Sequence, residues 1–152
     1  MRCPMKLPER EVVAFVESKR YWLQKHLSRR EAVEALTPEQ VQLLAAQAKQ
    51  DLTARVERLA PLVGVSWGRI TIRSQRTRWG SCSGKGNLNF NCLLMLAPEQ
   101  VRDYVVVHEL CHRREMNHSA RFWSLVEQLL PDYKISRKWL KDHGDALIAR
   151  LP

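Results

Sequence analysis

The chain has 152 residues, 45% hydrophobic and 27% charged, which is the size and composition of one ordinary soluble domain with a real core. No run of about 18 apolar residues occurs, excluding a membrane-spanning helix, and the N-terminal MRCPMKLPER lacks the apolar stretch of a secretory signal. The net charge of +9 favours approach to polyanions, nucleic acid included, but the basic residues are scattered through SKR, SRR, RSQRTR and HRR rather than gathered in one arm.

In chain order, PEREVVAFVESKRYWLQKHL carries Val12, Val13, Phe15, Val16, Trp22 and Leu23 at mostly helical spacing. A second helix is predicted from Thr37, an N-cap with Pro38 at the first position and Gln40 completing a capping box. It ends near Pro61 and Gly64, and Val41, Leu44, Ala48, Leu52, Val56 and Leu59 give it one apolar face. GRITIRSQ then alternates Ile70 and Ile72 with polar residues, as a strand does. TRWGSCSGKGNLNFNCLLML places Gly84 and Gly86 between two strand-like runs, a predicted hairpin in which Asn87, Asn89 and Asn91 form a wet face.

APEQVRDYVVVHELCHRREMN opens another helix at Pro98, apolar almost all round its centre and predicted to run to a left-handed end at Asn117. Ser119 fits the N-cap of the next helix, which Pro131 stops. A last helix is predicted from about Ser136 to Arg150. With no internal repeat or linker, the chain reads as one α+β domain, residues 1–64 mainly helical and 65–152 carrying a sheet and the motif described next. Cys3, Cys82, Cys92 and Cys111 show no CxxC spacing and read as free thiols of a reducing cytoplasm, with a Cys82–Cys92 disulfide the disfavoured alternative.

The chemistry concentrates in HELCHRREMNHS, residues 108–119. On a helix, His108 and His112 share a face one turn apart and can chelate one zinc ion, while Glu109 lies to the side, within reach of a water on the metal. Such a water acquires a pKa of about 7, and the glutamate takes its proton as the water attacks a carbonyl. Two core histidines and a solvated glutamate would be the blander reading, but the apolar frame makes burying these groups without a partner costly. A catalytic zinc needs a third ligand. Glu115 sits a further turn along, and Glu127 lies on the following helix; His118 is preferred, because a reversal between Asn117 and Ser119 would swing it back towards the metal.

The residues from 75 to about 143 resemble the YgjP-like metallopeptidase family, relatives of SprT- and WLM-type zinc proteases, through TRWGSC, NxN, YVVVHELCH, NHSxxFW and LLPDY in order. The resemblance implies a zincin-like α+β fold, zinc held by His108, His112 and His118, and Glu109 as general base. It also implies strand sequence ahead of the helix around Trp22; this chain begins almost at that helix, so part of the sheet is expected to be missing.

Arg78, Trp79 and Asn89, with Arg76 nearby, are candidate substrate-binding residues, since zinc peptidases commonly take substrate as an added strand; packing is the competing role for Trp79. Tyr133, His143 and Tyr104 are candidate oxyanion donors, and spacing does not choose among them. Cys111 reads as a small buried hydrophobe rather than a ligand. The expected activity is peptide-bond hydrolysis of a polypeptide, with one zinc ion per chain and no membrane partner. The alternatives are a zinc-dependent phosphoanhydride hydrolase acting on nucleotides and a non-catalytic, zinc-stapled module binding nucleic acid or protein.

Overall fold

The computed structural model describes residues 35–152, so the helix predicted over residues 8–27 lies outside the described part. From residue 36 onwards the chain forms one compact unit. Its first element, α1 (Pro38–Val63), starts as its sequence dictates: Thr37 Oγ1 accepts from Gln40 N–H at 3.1 Å and Gln40 Oε1 accepts from Thr37 N–H at 2.9 Å. The helix runs on through Pro61 and stops at Gly64, whose φ of 83° is a left-handed cap glycine adopts without strain. Leu52, Val56 and Ala60 on its inner face are fully buried.

Three short strands follow: β1 (Ile70–Arg73), β2 (Gly80–Cys82) and β3 (Leu88–Asn91). Their order is β1-β3-β2, with β3 parallel to β1 and antiparallel to β2, so β2 is an edge among the described strands. The β2–β3 pair is the predicted hairpin, closed by Gly86 N–H donating to Ser83 C=O at 2.9 Å. The asparagine face, however, is not uniformly wet. Asn91 is 1% exposed, and its amide is used up internally: Nδ2 donates to the carbonyls of Gln75 and Arg78, while Oδ1 accepts from Leu93 N–H and caps a short 3₁₀ helix (Cys92–Leu96). A buried amide with every strong bond satisfied is stable where a solvated one was expected.

Three helices complete the unit: α2 (Glu99–Cys111), α3 (Ala120–Leu129) and α4 (Tyr133–Ile148). The last begins one turn earlier than its sequence suggests, because Asp132 rather than Ser136 stands at its N-cap. Helix α2 lies in the middle, its Val105, Val106, Val107 and Leu110 at most 3% exposed, packed among α1, β2, α3 and α4. Helices and a small mixed sheet share one core, so the fold class is α+β. No helix among the described residues is long and apolar enough to cross a membrane.

Arg55 pins α1 to α2. Its guanidinium, on a residue 8% exposed, binds Asp51 at 2.8 Å, Asp103 at 2.7 Å and Glu99 at 3.2 Å. Burial disfavours the charged form, but the three carboxylates outweigh it and hold the group above the usual arginine range. Free thiols stand at Cys82, Cys92 and Cys111, so Cys82 and Cys92 are not bridged.

Candidate metal centre

Helix α2 ends at Cys111 rather than running to Asn117. His112 caps it in right-handed conformation, and Arg113, Arg114 and Glu115 donate their N–H groups back to Leu110 and Cys111. The chain then doubles back to Ser119, whose Oγ accepts from Phe122 N–H and starts α3.

His118 Nε2 stands 3.2 Å from His112 Nε2 and 3.2 Å from His108 Nε2. The three imidazoles are the one group of metal-ligating side chains found among the described residues, with ligand atoms within 4.8 Å of one another. His112 Nδ1 lies 3.0 Å from Glu115 C=O; a carbonyl only accepts, so Nδ1 carries the proton and Nε2 presents its lone pair to the cluster. His108 Nδ1 lies 3.4 Å from the Tyr104 hydroxyl. Phe122 stacks on His112 and Trp123 on His118, walling the cluster with aromatic surface.

The electrostatics favour the neutral forms of His108 and His112. Burial, then His112, His118 and Arg137, push His108 down to about 3, and burial also lowers His112. Glu109 behaves oppositely: burial pushes its carboxyl up to about 8 against the pull of Arg78. A neutral imidazole is the form that can bind a metal.

Two cavities, of about 280 and 260 Å³, flank the pair His108–Glu109, and both are also lined by Arg78 and Gly80. The first continues along Trp79, Tyr104, Val105 and Leu140; the second holds His112, His118 and Met116. Gly80 is there because nothing larger fits without displacement: a Cβ would sit 3.1 Å from Glu109 Cγ and Oε2 and 3.2 Å from Asn89 C=O.

Of the residues singled out in the sequence, His108, Glu109, His112, His118, Arg78 and Trp79 come together here. Asn89 does not line either cavity, because its side chain is bound to Ser81 and Arg73. Tyr133 is buried in a stack with Tyr104 and Trp123, and exposed His143 lies flat on Trp139, its Nδ1 3.0 Å from the Trp139 carbonyl. Neither lines the cleft. Glu127 is exposed on α3, and Glu115 pairs with Arg121. Sequence reasoning missed Gly80 and Leu140; a glycine opening a short strand is a signal of close backbone approach.

The family model for the YgjP-like metallopeptidase domain matches residues 34–143, which is most of the chain and contains every residue of the cleft. The chain belongs to that family. Its fold is similar to the crystal structure of the metallopeptidase zymogen abylysin of Pyrococcus abyssi, with a TM-score of 0.54 and 21% identity over 60% of this chain and 93% of that one. No curated protein matches it. A metallopeptidase domain implies a metal, and the three-histidine cluster could hold one.

Proposed function

We propose that this YgjP-like domain is a zincin-like, zinc-dependent peptidase, with His108, His112 and His118 holding one zinc ion and Glu109 serving as general base. The observation that carries the reading is the convergence of three Nε2 atoms beside a buried carboxyl in one cleft. Zinc–nitrogen bonds of about 2.0–2.1 Å in tetrahedral array require nitrogens about 3.3–3.4 Å apart, and the two contacts of 3.2 Å suit that. Three protein ligands among the described residues leave a position open, which favours a catalytic over a structural zinc. When bound, zinc supplies Lewis acidity, acidifying water and polarising a carbonyl.

The chain's own residues supply the rest. His112 is fixed in one tautomer by Glu115. Glu109 lines the same cavity as the three histidines, placed to take a proton and return it, as a general base must. Gly80 of β2 packs against Glu109, and the side of β2 left unpaired among the described strands offers backbone groups to an extended polypeptide. Free thiols at Cys82, Cys92 and Cys111 support a reducing compartment such as the cytoplasm.

Purified protein loaded with one equivalent of zinc should cleave an unfolded polypeptide, and Glu109→Gln should slow the cleavage by about a hundredfold or more. Cleavage at an undiminished rate in Glu109→Gln would overturn the mechanism. Turnover of a nucleoside triphosphate with none of polypeptide would favour the phosphoanhydride reading.

A further inference from the structure

Both cavities share one cation. Arg78 lines each of them beside His108 and Glu109. Its backbone is fixed from behind, since Asn91 Nδ2 donates to its carbonyl at 2.9 Å and Asn91 N–H donates to the next carbonyl, that of Trp79, at 3.0 Å. Trp79 in turn lies against Gly144 of α4, where a Cβ would stand 3.3 Å from the indole. The side chain itself has no hydrogen-bond or ion-pair partner among the described residues. Neighbouring arginines are committed: Arg73 to Asn89, Arg76 to the carbonyls of Leu151 and Pro152, Arg113 to Ser66 and Arg137 to the face of Trp123.

Glu109 is the sole carboxylate lining either cavity among the described residues. Arg78 acts on it through space without forming an ion pair. An anchored, uncommitted guanidinium at the mouth of a reactive cleft is a fork for a planar anion. The 280 Å³ cavity beside it lies just below the range of about 300–1,000 Å³ that encloses a whole small ligand, so it suits one side chain of a longer substrate.

We infer that Arg78 is a specificity-determining residue that binds a carboxylate of the polypeptide substrate close to the bond to be cut. This rests on the peptidase reading above. The carboxylate has two sources, an Asp or Glu side chain near the scissile bond or the substrate's own C-terminus, and the same chemistry serves both.

The test measures binding rather than turnover. Zinc-loaded Glu109→Gln protein, full chain, is titrated calorimetrically with three probes of otherwise equal sequence. These are an amidated neutral hexapeptide, an amidated one with a central Glu, and a neutral one with a free C-terminal carboxylate. At least one carboxylate probe should bind about tenfold tighter than the neutral amide, the low end for a charge-assisted bond at an exposed group. Adding Arg78→Met should erase that preference, and Arg78→Glu should invert it, so that the carboxylate probes bind more weakly than the neutral amide. Preference for the central Glu assigns the side-chain source; preference for the free terminus alone assigns an exopeptidase. Equal binding of all three probes overturns the proposal, as does a uniform loss in Arg78→Met, which would mark a general positioning role. If no peptide binds at all, the peptidase reading fails and the proposal with it.

Discussion

Helix α2 carries a polar cluster at each end, and the two are built on opposite principles. Near its start, Asp103 and Glu99 meet Arg55 and Arg58, and each charge finds its opposite inside the chain. At its end, His108, His112 and His118 aim like nitrogens at one another, with no anion among the described residues within ion-pair distance of them. A cluster that satisfies itself is a structural device; a cluster of converging lone pairs is satisfied by something added. That contrast, more than the count of polar groups, separates fold from site on this helix.

The largest effect falls on the site. Glu109→Gln should cut peptide turnover by about 10²–10⁴, the usual worth of a general acid–base group, with zinc content intact. Removing the metal should leave the fold standing, because the α1–α2 core and its ion cluster do not involve the histidines. Chelated protein should keep its far-UV circular dichroism; collapse on chelation would make zinc a staple and return the module reading.

The opposite cut strikes the other cluster. Arg55→Met leaves Asp51 and Asp103 with partial partners in Arg58 and Arg102, so a loss of about 2–3 kcal/mol is expected, below the usual cost of about 3–5 kcal/mol for halving a buried ion pair. Urea denaturation reads the loss, and zinc stoichiometry should stay at one. Loss of zinc in this variant would mean the two ends of α2 are not independent.

Metal-free protein should also show two opposed pH dependences. Glu109 has a carboxyl raised from 4.5 to about 8, so the folded state keeps its proton longer and stability falls as pH climbs through that window. His108 is lowered from 6.5 to about 3, so the unfolded state takes the proton first and stability falls as pH drops below 6.5. Each group contributes a slope of at most about 1.4 kcal/mol per pH unit. The two slopes oppose each other between about pH 4.5 and 6.5, so the wild type declines from about pH 6.5 to 8; in Glu109→Gln that decline should vanish while the acid-side decline remains. Superimposable stability profiles for the two proteins would refute this balance.

The smallest effect concerns the thiols. Burial pushes Cys111 up to about 11, so at pH 8 a thiol reagent should label half-buried Cys82 well before it. Mass spectrometry of the partly labelled protein reads the order.

Much of this was legible beforehand, and the failures share a cause. The capping box at Thr37, the hairpin, the helix start beside Pro98 and the cap at Ser119 depend on neighbours within a few residues, and they stand where local chemistry puts them. The α+β class followed from that alternation of patterns. The site's HELCH face is set by helical spacing, and the return of His118 by a reversal whose existence, though not its start at His112, could be read. Distant partners decided the rest. Asn91 looked wet until the 75–79 loop folded over it, Asn89 is held by Ser81 and Arg73, and His143 faces Trp139 on its own helix. Gly80 mattered through Glu109, 29 positions away in sequence, a contact that no local pattern encodes.

The most direct test of the account is metal stoichiometry by elemental analysis in the wild type, His118→Ala and Glu127→Ala. The three-histidine centre predicts one zinc per chain in the wild type and in Glu127→Ala, with zinc lost from His118→Ala. Full zinc in His118→Ala together with loss in Glu127→Ala would contradict it.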